Sequence, residues 1–145
     1  MKKMYLKSLS TSVFAVVSVL FISLTISSCA RKMSFTNSSV VPGAEGSIKI
    51  KKDKNKNYKI DLSVIHLTEA KRLTPPKQTY IVWMKTDNHG TKNIGKLNPS
   101  SGLFSKTLKS SLQTVTPYKP ESFFVTAEDD ADTQYPRGEQ VLTTQ

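Results

Sequence analysis

Hydrophobic and polar residues alternate with a period of two along much of this chain, which is the pattern of half-buried β-strands. Residues 47–51 place Ile48 and Ile50 on one face and polar side chains on the other. Residues 58–64 continue the pattern, with an aromatic or aliphatic side chain at every second position. The polar segment 53–57 separates the two runs, so we expect a β-hairpin.

Five further segments have strand character, and no stretch after residue 40 keeps a helical period for long. Residues 79–84 are apolar on both faces, which predicts a central strand covered on each side. Residues 103–112 alternate only weakly, which predicts an edge or bulged strand. The other predicted strands cover residues 92–97, 121–128 and 139–144. About seven short strands separated by turn residues predict an all-β fold, an antiparallel β-sandwich with immunoglobulin-like architecture over residues 44–145.

The first 28 residues differ from the rest of the chain. Lys2, Lys3 and Lys7 precede an apolar run of 14 residues, Val13–Ile26. As a helix this run would be about 21 Å long, which is short for a bilayer core of about 30 Å. A basic start followed by a short apolar run is typical of a secretory signal peptide, which we assign to residues 1–28.

The apolar run ends in the sequence Ile-Ser-Ser-Cys at residues 26–29. An aliphatic residue and two small residues before a cysteine resemble the lipobox of bacterial lipoprotein signal peptides. The resemblance implies that the peptide is cleaved before Cys29, whose diacylated thiol then anchors the chain in a membrane. A plain secretory signal with an incidental cysteine and an uncleaved membrane anchor are the alternatives.

A lipidated Cys29 would place the protein in the cell envelope, facing the periplasm or the cell exterior. Ala30 is not the aspartate associated with inner-membrane retention in enteric-type sorting, which favours the outer membrane. The residues after the cysteine are polar and without period, so residues 29–43 are predicted to be the lipidated cysteine and a flexible tether. Arg31 and Lys32 are expected either to touch anionic headgroups or to remain solvated.

Composition adds an excess of positive charge. The chain has 21 basic and 11 acidic residues, which gives a net charge of +10. Removal of residues 1–28 would discard three lysines and no acidic residue, so the mature chain would carry +7.

Lysines concentrate part of this charge on the predicted hairpin, at Lys51, Lys52, Lys54 and Lys56. One interpretation is a patch that binds an anionic partner, such as lipid headgroups, lipopolysaccharide or an acidic glycan. The other is a solvated face that keeps the hairpin from pairing with further strands. Nucleic acid is not an expected partner, because aromatic residues for base stacking are not interleaved with the lysines.

Carboxylates are clustered at one place, where Asp129, Asp130 and Asp132 follow Glu128. Calcium takes six to eight oxygen ligands, so these three aspartates are candidate calcium ligands. The EF-hand glycine is missing, however, and solvated acids are common in sandwich loops. The two interpretations stay open.

Catalytic motifs are not found in the sequence. His66 and His89 each lack a partner at metal-ligand spacing. No Gly-x-Ser-x-Gly elbow or phosphate-binding glycine loop occurs, and a single cysteine excludes an intramolecular disulfide framework. We therefore expect no enzymatic activity, no catalytic residue, no metal centre and no cofactor.

From Tyr80 onward the chain carries an ordered set of short motifs. They are Tyr-Ile-Val-Trp at 80–83, Gly90, Ile-Gly at 94–95, Phe-Val-Thr-Ala-Glu at 124–128 and Pro-Arg-Gly at 136–138. Together they resemble the extracytoplasmic C-terminal domain of anti-sigma-K-type factors over about residues 44–144. The resemblance implies a β-sandwich outside the membrane. It departs from the family at residues 129–132, where the family has glycines, and at residues 1–28, where a signal peptide is predicted instead of a sigma-binding segment.

These features together predict a membrane-anchored, non-enzymatic lipoprotein with a binding or sensory β-sandwich. Loops at one end of the sandwich would contact an envelope protein or an anionic glycan or lipid. The alternative is a detached sensory component of an anti-sigma-factor-type signalling system.

Overall fold

The computed structural model describes residues 30–101 and 107–144, which form nine β-strands and one short 3-10 turn at Ala70–Arg72. No helix in this part of the chain is long and apolar enough to cross a bilayer. The strands are β1 (Arg31–Ser34), β2 (Glu45–Lys52), β3 (Tyr58–Ile65), β4 (Thr79–Thr86), β5 (Thr91–Leu97), β6 (Ser100–Ser101), β7 (Leu108–Thr116), β8 (Pro120–Glu128) and β9 (Glu139–Thr143).

Two antiparallel sheets pack against each other, which confirms the predicted all-β sandwich. One sheet has five strands in the order β1-β2-β3-β7-β6, and the other has four in the order β5-β4-β8-β9. The arrangement β2-β3-β7-β6 opposite β5-β4-β8-β9 corresponds to the A-B-E-D and C′-C-F-G sheets of immunoglobulin-like domains. The seven predicted strands are all present, and β1 and β6 are additional.

The β2–β3 hairpin follows the sequence pattern. Ile48 lies opposite Leu62 and Ile50 lies opposite Ile60, so the four aliphatic side chains enter the core from one face. Because side chains alternate along a strand, Lys49 and Asp61, which lies opposite it on β3, point to the other face. The sequence pattern therefore sets which face of the five-stranded sheet is buried.

Strand β4 lies between β5 and β8 and is buried on both faces, as predicted for a central strand. Tyr80 belongs to the main core between the sheets, whereas Trp83 points away from it. Trp83 stacks on Phe124 of β8 with 6.3 Å between the ring centroids. Ala131 packs against this second cluster, so the segment after β8 covers the outer face of the four-stranded sheet at Trp83.

Strand β1 corrects the prediction of a flexible tether over residues 29–43. Arg31–Ser34 pairs with β2, and Met33 is buried opposite Ile48. Phe35 then forms a β-bridge to Thr144 beside β9, so the chain passes from one sheet to the other and closes that side of the sandwich. Four residues with a single apolar side chain are too short to show a period, and the edge of β2 supplies the hydrogen-bonding partner that orders them.

Strand β7 begins later than predicted. The sequence indicated a strand at residues 103–112, whereas β7 covers Leu108–Thr116, and residues 102–106 lie outside the described part of the chain. β6 pairs only with the first two residues of β7. Among the described residues, most of β7 is thus an edge of the five-stranded sheet, and its pairing with β3 is regular rather than bulged.

The burial of Met33 makes β1 a stabilising part of the domain. We expect Met33→Ala, in the chain from residue 30 onward, to lower the free energy of unfolding by about 2–4 kcal/mol because it leaves a cavity in the core. Lys32→Ala, at the exposed neighbouring position, should change it by less than about 0.5 kcal/mol. Urea denaturation of the two variants measures the difference. Equal, small effects would mean that β1 is not part of the stable sheet.

The hydroxyl of Tyr80 is buried without a hydrogen-bond partner, and burial raises its pKa from 10.0 to about 12. The folded protein thus keeps this proton at a pH where the unfolded chain loses it. Stability should therefore fall as the pH rises from about 10 towards 12, by at most about 2–3 kcal/mol from this residue. Below pH 10 the residue should contribute no pH dependence.

Tyr80→Phe should flatten this alkaline loss of stability and leave stability at neutral pH equal or higher, since the variant removes an unsatisfied hydroxyl. Denaturant titrations at several pH values between 8 and 12 compare the two slopes. Tyr135→Phe, at a position that is 73% exposed, controls for the loss of a phenol. If the free energy of unfolding fell equally steeply with pH in Tyr80→Phe and in the unsubstituted chain, the alkaline loss of stability would not come from Tyr80.

Candidate functional site

Cys29, the predicted lipid-attachment residue, lies outside the described residues, which begin at Ala30. β1 starts at Arg31, only two residues after the cysteine. Two extended residues span at most about 7 Å. A lipid on Cys29 would therefore lie next to the folded sandwich rather than at the end of a long tether.

The four predicted lysines lie on the β2–β3 hairpin and are all exposed. Lys51 and Lys52 end β2, and Lys54 and Lys56 lie in the turn between the strands. The side chain of Asp53 stabilises this turn by accepting hydrogen bonds from the backbone amides of Asn55 (2.8 Å) and Asn57 (2.9 Å).

The tertiary structure adds basic residues that the hairpin sequence did not indicate. Antiparallel pairing brings the turn 53–57 to the same end of the sandwich as the loops 87–90 and 117–119 and the start of β1. We call these three loops, the two residues on each side of each loop, and Arg31 the basic end. Its basic residues are Arg31, Lys51, Lys52, Lys54, Lys56, Lys59, Lys85, Lys92 and Lys119, all exposed.

The excess positive charge of the described residues is confined to the basic end. This end carries nine basic and three acidic side chains, whereas the other described residues carry eight of each. Among the described residues of this end, Lys119 forms the single ion pair, 3.5 Å from Asp87. The other eight basic groups keep their charge available to solvent or to a partner.

Aromatic contacts fix the loops of the basic end relative to one another. The ring of His89 in loop 87–90 lies 4.6 Å from that of Tyr118 in loop 117–119. Lys92 at the start of β5 lies 5.5 Å above the Tyr118 ring. Arg31 donates a long hydrogen bond of 3.5 Å to the carbonyl oxygen of Glu121 and so links β1 to β8. The charged surface is therefore built on ordered loops rather than on free chain ends.

At the opposite end, Glu128 is a structural residue that sequence reasoning grouped with the acidic loop. It is only 4% exposed, and its carboxylate accepts hydrogen bonds from the backbone amides of Arg137 and Gly138 (3.0 Å each). The Thr126 hydroxyl donates to it at 2.6 Å, and the indole N–H of Trp83 donates to Thr126 at 2.7 Å. This network ties the end of loop 129–138 to β8 and to the buried Trp83.

Glycine is required at position 138 by close packing. A Cβ there would collide with the carbonyl oxygen of Ala127. The missing side chain lets the returning chain approach β8 closely enough for its amide to reach Glu128. The side-chain amide of Asn93 on β5 holds the middle of the same loop by donating to the carbonyl oxygens of Ala131 (3.2 Å) and Thr133 (3.1 Å).

Two of the three aspartates of the candidate calcium site have separate contacts. Asp129 forms an ion pair with Lys77 at 2.7 Å. Asp130 accepts a hydrogen bond from the backbone amide of Asp132 at 3.0 Å, which shapes the turn. No group of three or more His, Cys, Asp or Glu residues in the described part of the chain is arranged to hold a metal ion. The structure therefore does not gather the three candidate ligands into one site, because Asp129 is paired with Lys77 and Asp130 with the backbone of its own loop.

The two histidines do not meet. His66 follows β3 at the acidic-loop end and has a positive φ of 56°, whereas His89 is in a loop of the basic end.

An open groove of about 670 Å³ runs between β5 and loop 129–138, past Lys96 and the exposed Tyr135. Sequence reasoning did not indicate this groove, since its two walls are distant in the chain.

A scan against protein-family models and searches of curated proteins and of solved structures found no significant match to this chain. The resemblance to anti-sigma-K-type factors thus stays a prediction. Its motif residues are largely structural here: Tyr80 and Trp83 lie in the two apolar clusters, and Glu128 closes the loop. Buried residues of this kind bear on the fold rather than on a signalling partner.

The Glu128 network should control the stability of loop 129–138. We expect Glu128→Gln to lower the free energy of unfolding by about 1–3 kcal/mol, because two part-buried backbone amides lose a charged acceptor. Trypsin should also cleave faster after Arg137, whose amide is released. Asp130→Asn, at an exposed position of the same loop, is the control and should change both measurements little. Unchanged cleavage in Glu128→Gln would contradict the role assigned to the network.

Proposed function

We propose that this chain is a lipid-anchored protein of a bacterial cell envelope whose β-sandwich is a non-enzymatic binding or sensory domain. The observation that carries the proposal is the lipobox-like sequence Ile-Ser-Ser-Cys at residues 26–29, which follows a basic start and a short apolar run. β1 begins at Arg31, so the proposed anchor lies two residues from the sandwich.

Among the described residues, the one buried acidic residue has a structural role. The buried carboxylate of Glu128 is occupied by backbone amides and by Thr126. His66 and His89 lie at opposite ends, so they cannot act together on one substrate. This distribution favours a binding domain over an enzyme.

The anchor position also assigns different roles to the two ends. With the lipid beside β1, the basic end faces the membrane and the loops 66–78 and 129–138 face away from it. The distal loops are then available to an envelope protein or glycan. Ala30 in the sorting position favours an outer-membrane location, with the domain facing the periplasm or the cell exterior. The sensory role in an anti-sigma-type system remains the alternative.

Replacing the predicted lipid-attachment residue tests the anchor. We expect Cys29→Ala to abolish fatty-acid labelling of the chain and to remove the processed protein from the membrane fraction. Ser28→Gly keeps a small residue before the cysteine and should retain labelling. Metabolic labelling with a radioactive fatty acid, followed by sedimentation of membranes, measures both. Labelling that persists in Cys29→Ala would overturn the proposal.

A further inference from the structure

We propose that the basic end of the sandwich lies directly on anionic lipid headgroups, so that the domain is held in one orientation against the membrane. The inference rests on the proposed anchor at Cys29 and adds the partner of the neighbouring surface. It is carried by two independent features, the position of β1 and the distribution of charge.

The first feature is the short connection to the anchor. Arg31 is already paired in the sheet, opposite Ile50, so the chain has no long linker in which to turn. Two extended residues span at most about 7 Å, which is comparable to the Debye length of about 8 Å at physiological ionic strength. Charges beside the start of β1 are therefore held where a headgroup surface attracts them.

The second feature is the charge that surrounds this point. Lys54 and Lys56 in the β2–β3 turn and Lys119 in loop 117–119 are exposed at the same end as Arg31. The end carries nine basic against three acidic side chains. A lysine close to an anionic leaflet strengthens association by about fivefold, so several lysines acting together bias the orientation strongly.

The opposite orientation is disfavoured by the same distribution. Asp129, Asp130 and Asp132 lie in the loop at the far end of β8, and Glu69 precedes the 3-10 turn at that end. The described residues outside the basic end carry eight basic and eight acidic side chains, so turning the far end towards the membrane would move the excess positive charge of the basic end into solvent without replacing its attraction to the headgroups. Headgroup phosphates are thus the partner that the charges and the anchor position favour together.

Lysine footprinting on the full-length protein tests the orientation. Membranes from cells that produce the chain are treated with an amine-acetylating reagent, and acetylation of each lysine is measured by mass spectrometry before and after release in detergent. Lys54, Lys56 and Lys119 should react several-fold more slowly in the membrane than in detergent. Lys71 and Lys109, which are exposed at the opposite end, should react equally in both and serve as internal controls.

Reconstitution into vesicles of known lipid composition tests whether anionic headgroups are the partner of the basic end. The extracted protein is reconstituted into phosphatidylcholine alone or mixed with phosphatidylglycerol. We expect protection of Lys54, Lys56 and Lys119 in the mixed vesicles, weakened at high salt, and little protection in phosphatidylcholine. Lys54→Glu with Lys56→Glu should remove the protection of Lys119, whereas Lys71→Glu with Lys109→Glu should leave it unchanged.

The possible failures are distinguishable. A chain that does not sediment with membranes refutes the anchor itself. A chain that sediments but shows no difference between the two ends refutes the orientation and leaves the anchor intact. Protection in native membranes but not in phosphatidylglycerol vesicles would assign the basic end to an envelope protein or glycan, and equal protection in both vesicle types would exclude headgroup charge as the cause.

Discussion

The burial of β4 on both faces is the constraint on which the rest of the structure depends. Its inward face, with Tyr80, forms the centre of the core between the sheets. Its outward face carries Trp83, which would be exposed to solvent if the four-stranded sheet were uncovered. Loop 129–138 supplies the cover, and the buried Glu128 carboxylate holds the loop in place. A sequence that is apolar on both faces of one strand thus requires a folded loop elsewhere.

That requirement explains the chemistry of the acidic-loop end. A buried carboxylate is costly unless its oxygens are hydrogen-bonded, and Glu128 meets this condition with two backbone amides and one hydroxyl. The same contacts take Glu128 away from the aspartates beside it. Packing rather than ligand binding therefore accounts for Glu128, the acidic residue that ends β8.

Charge is organised by topology rather than by position in the sequence. Lys54 and Lys119 are 65 residues apart in the chain, yet antiparallel pairing places their loops at the same end of the sandwich. β1 begins at that end, so the first residue of this strand lies beside the basic surface. If the lipid is attached at Cys29, the position of β1 determines both where the domain is attached and which of its surfaces lies nearest the membrane.

The sequence alone determined the strands that bury a regular face, because side chains alternate along a strand whatever their partners are. This is why the faces of β2 and β3 and the double burial of β4 were predictable from Ile48, Ile50 and Trp83. Pairing between distant segments was decided only in the tertiary structure. β1 has one buried side chain, Met33, and no period of its own, so it needed the edge of β2. The inward turn of Glu128 and the gathering of lysines from three loops likewise depend on which loops meet, a property of long-range packing that no local pattern contains.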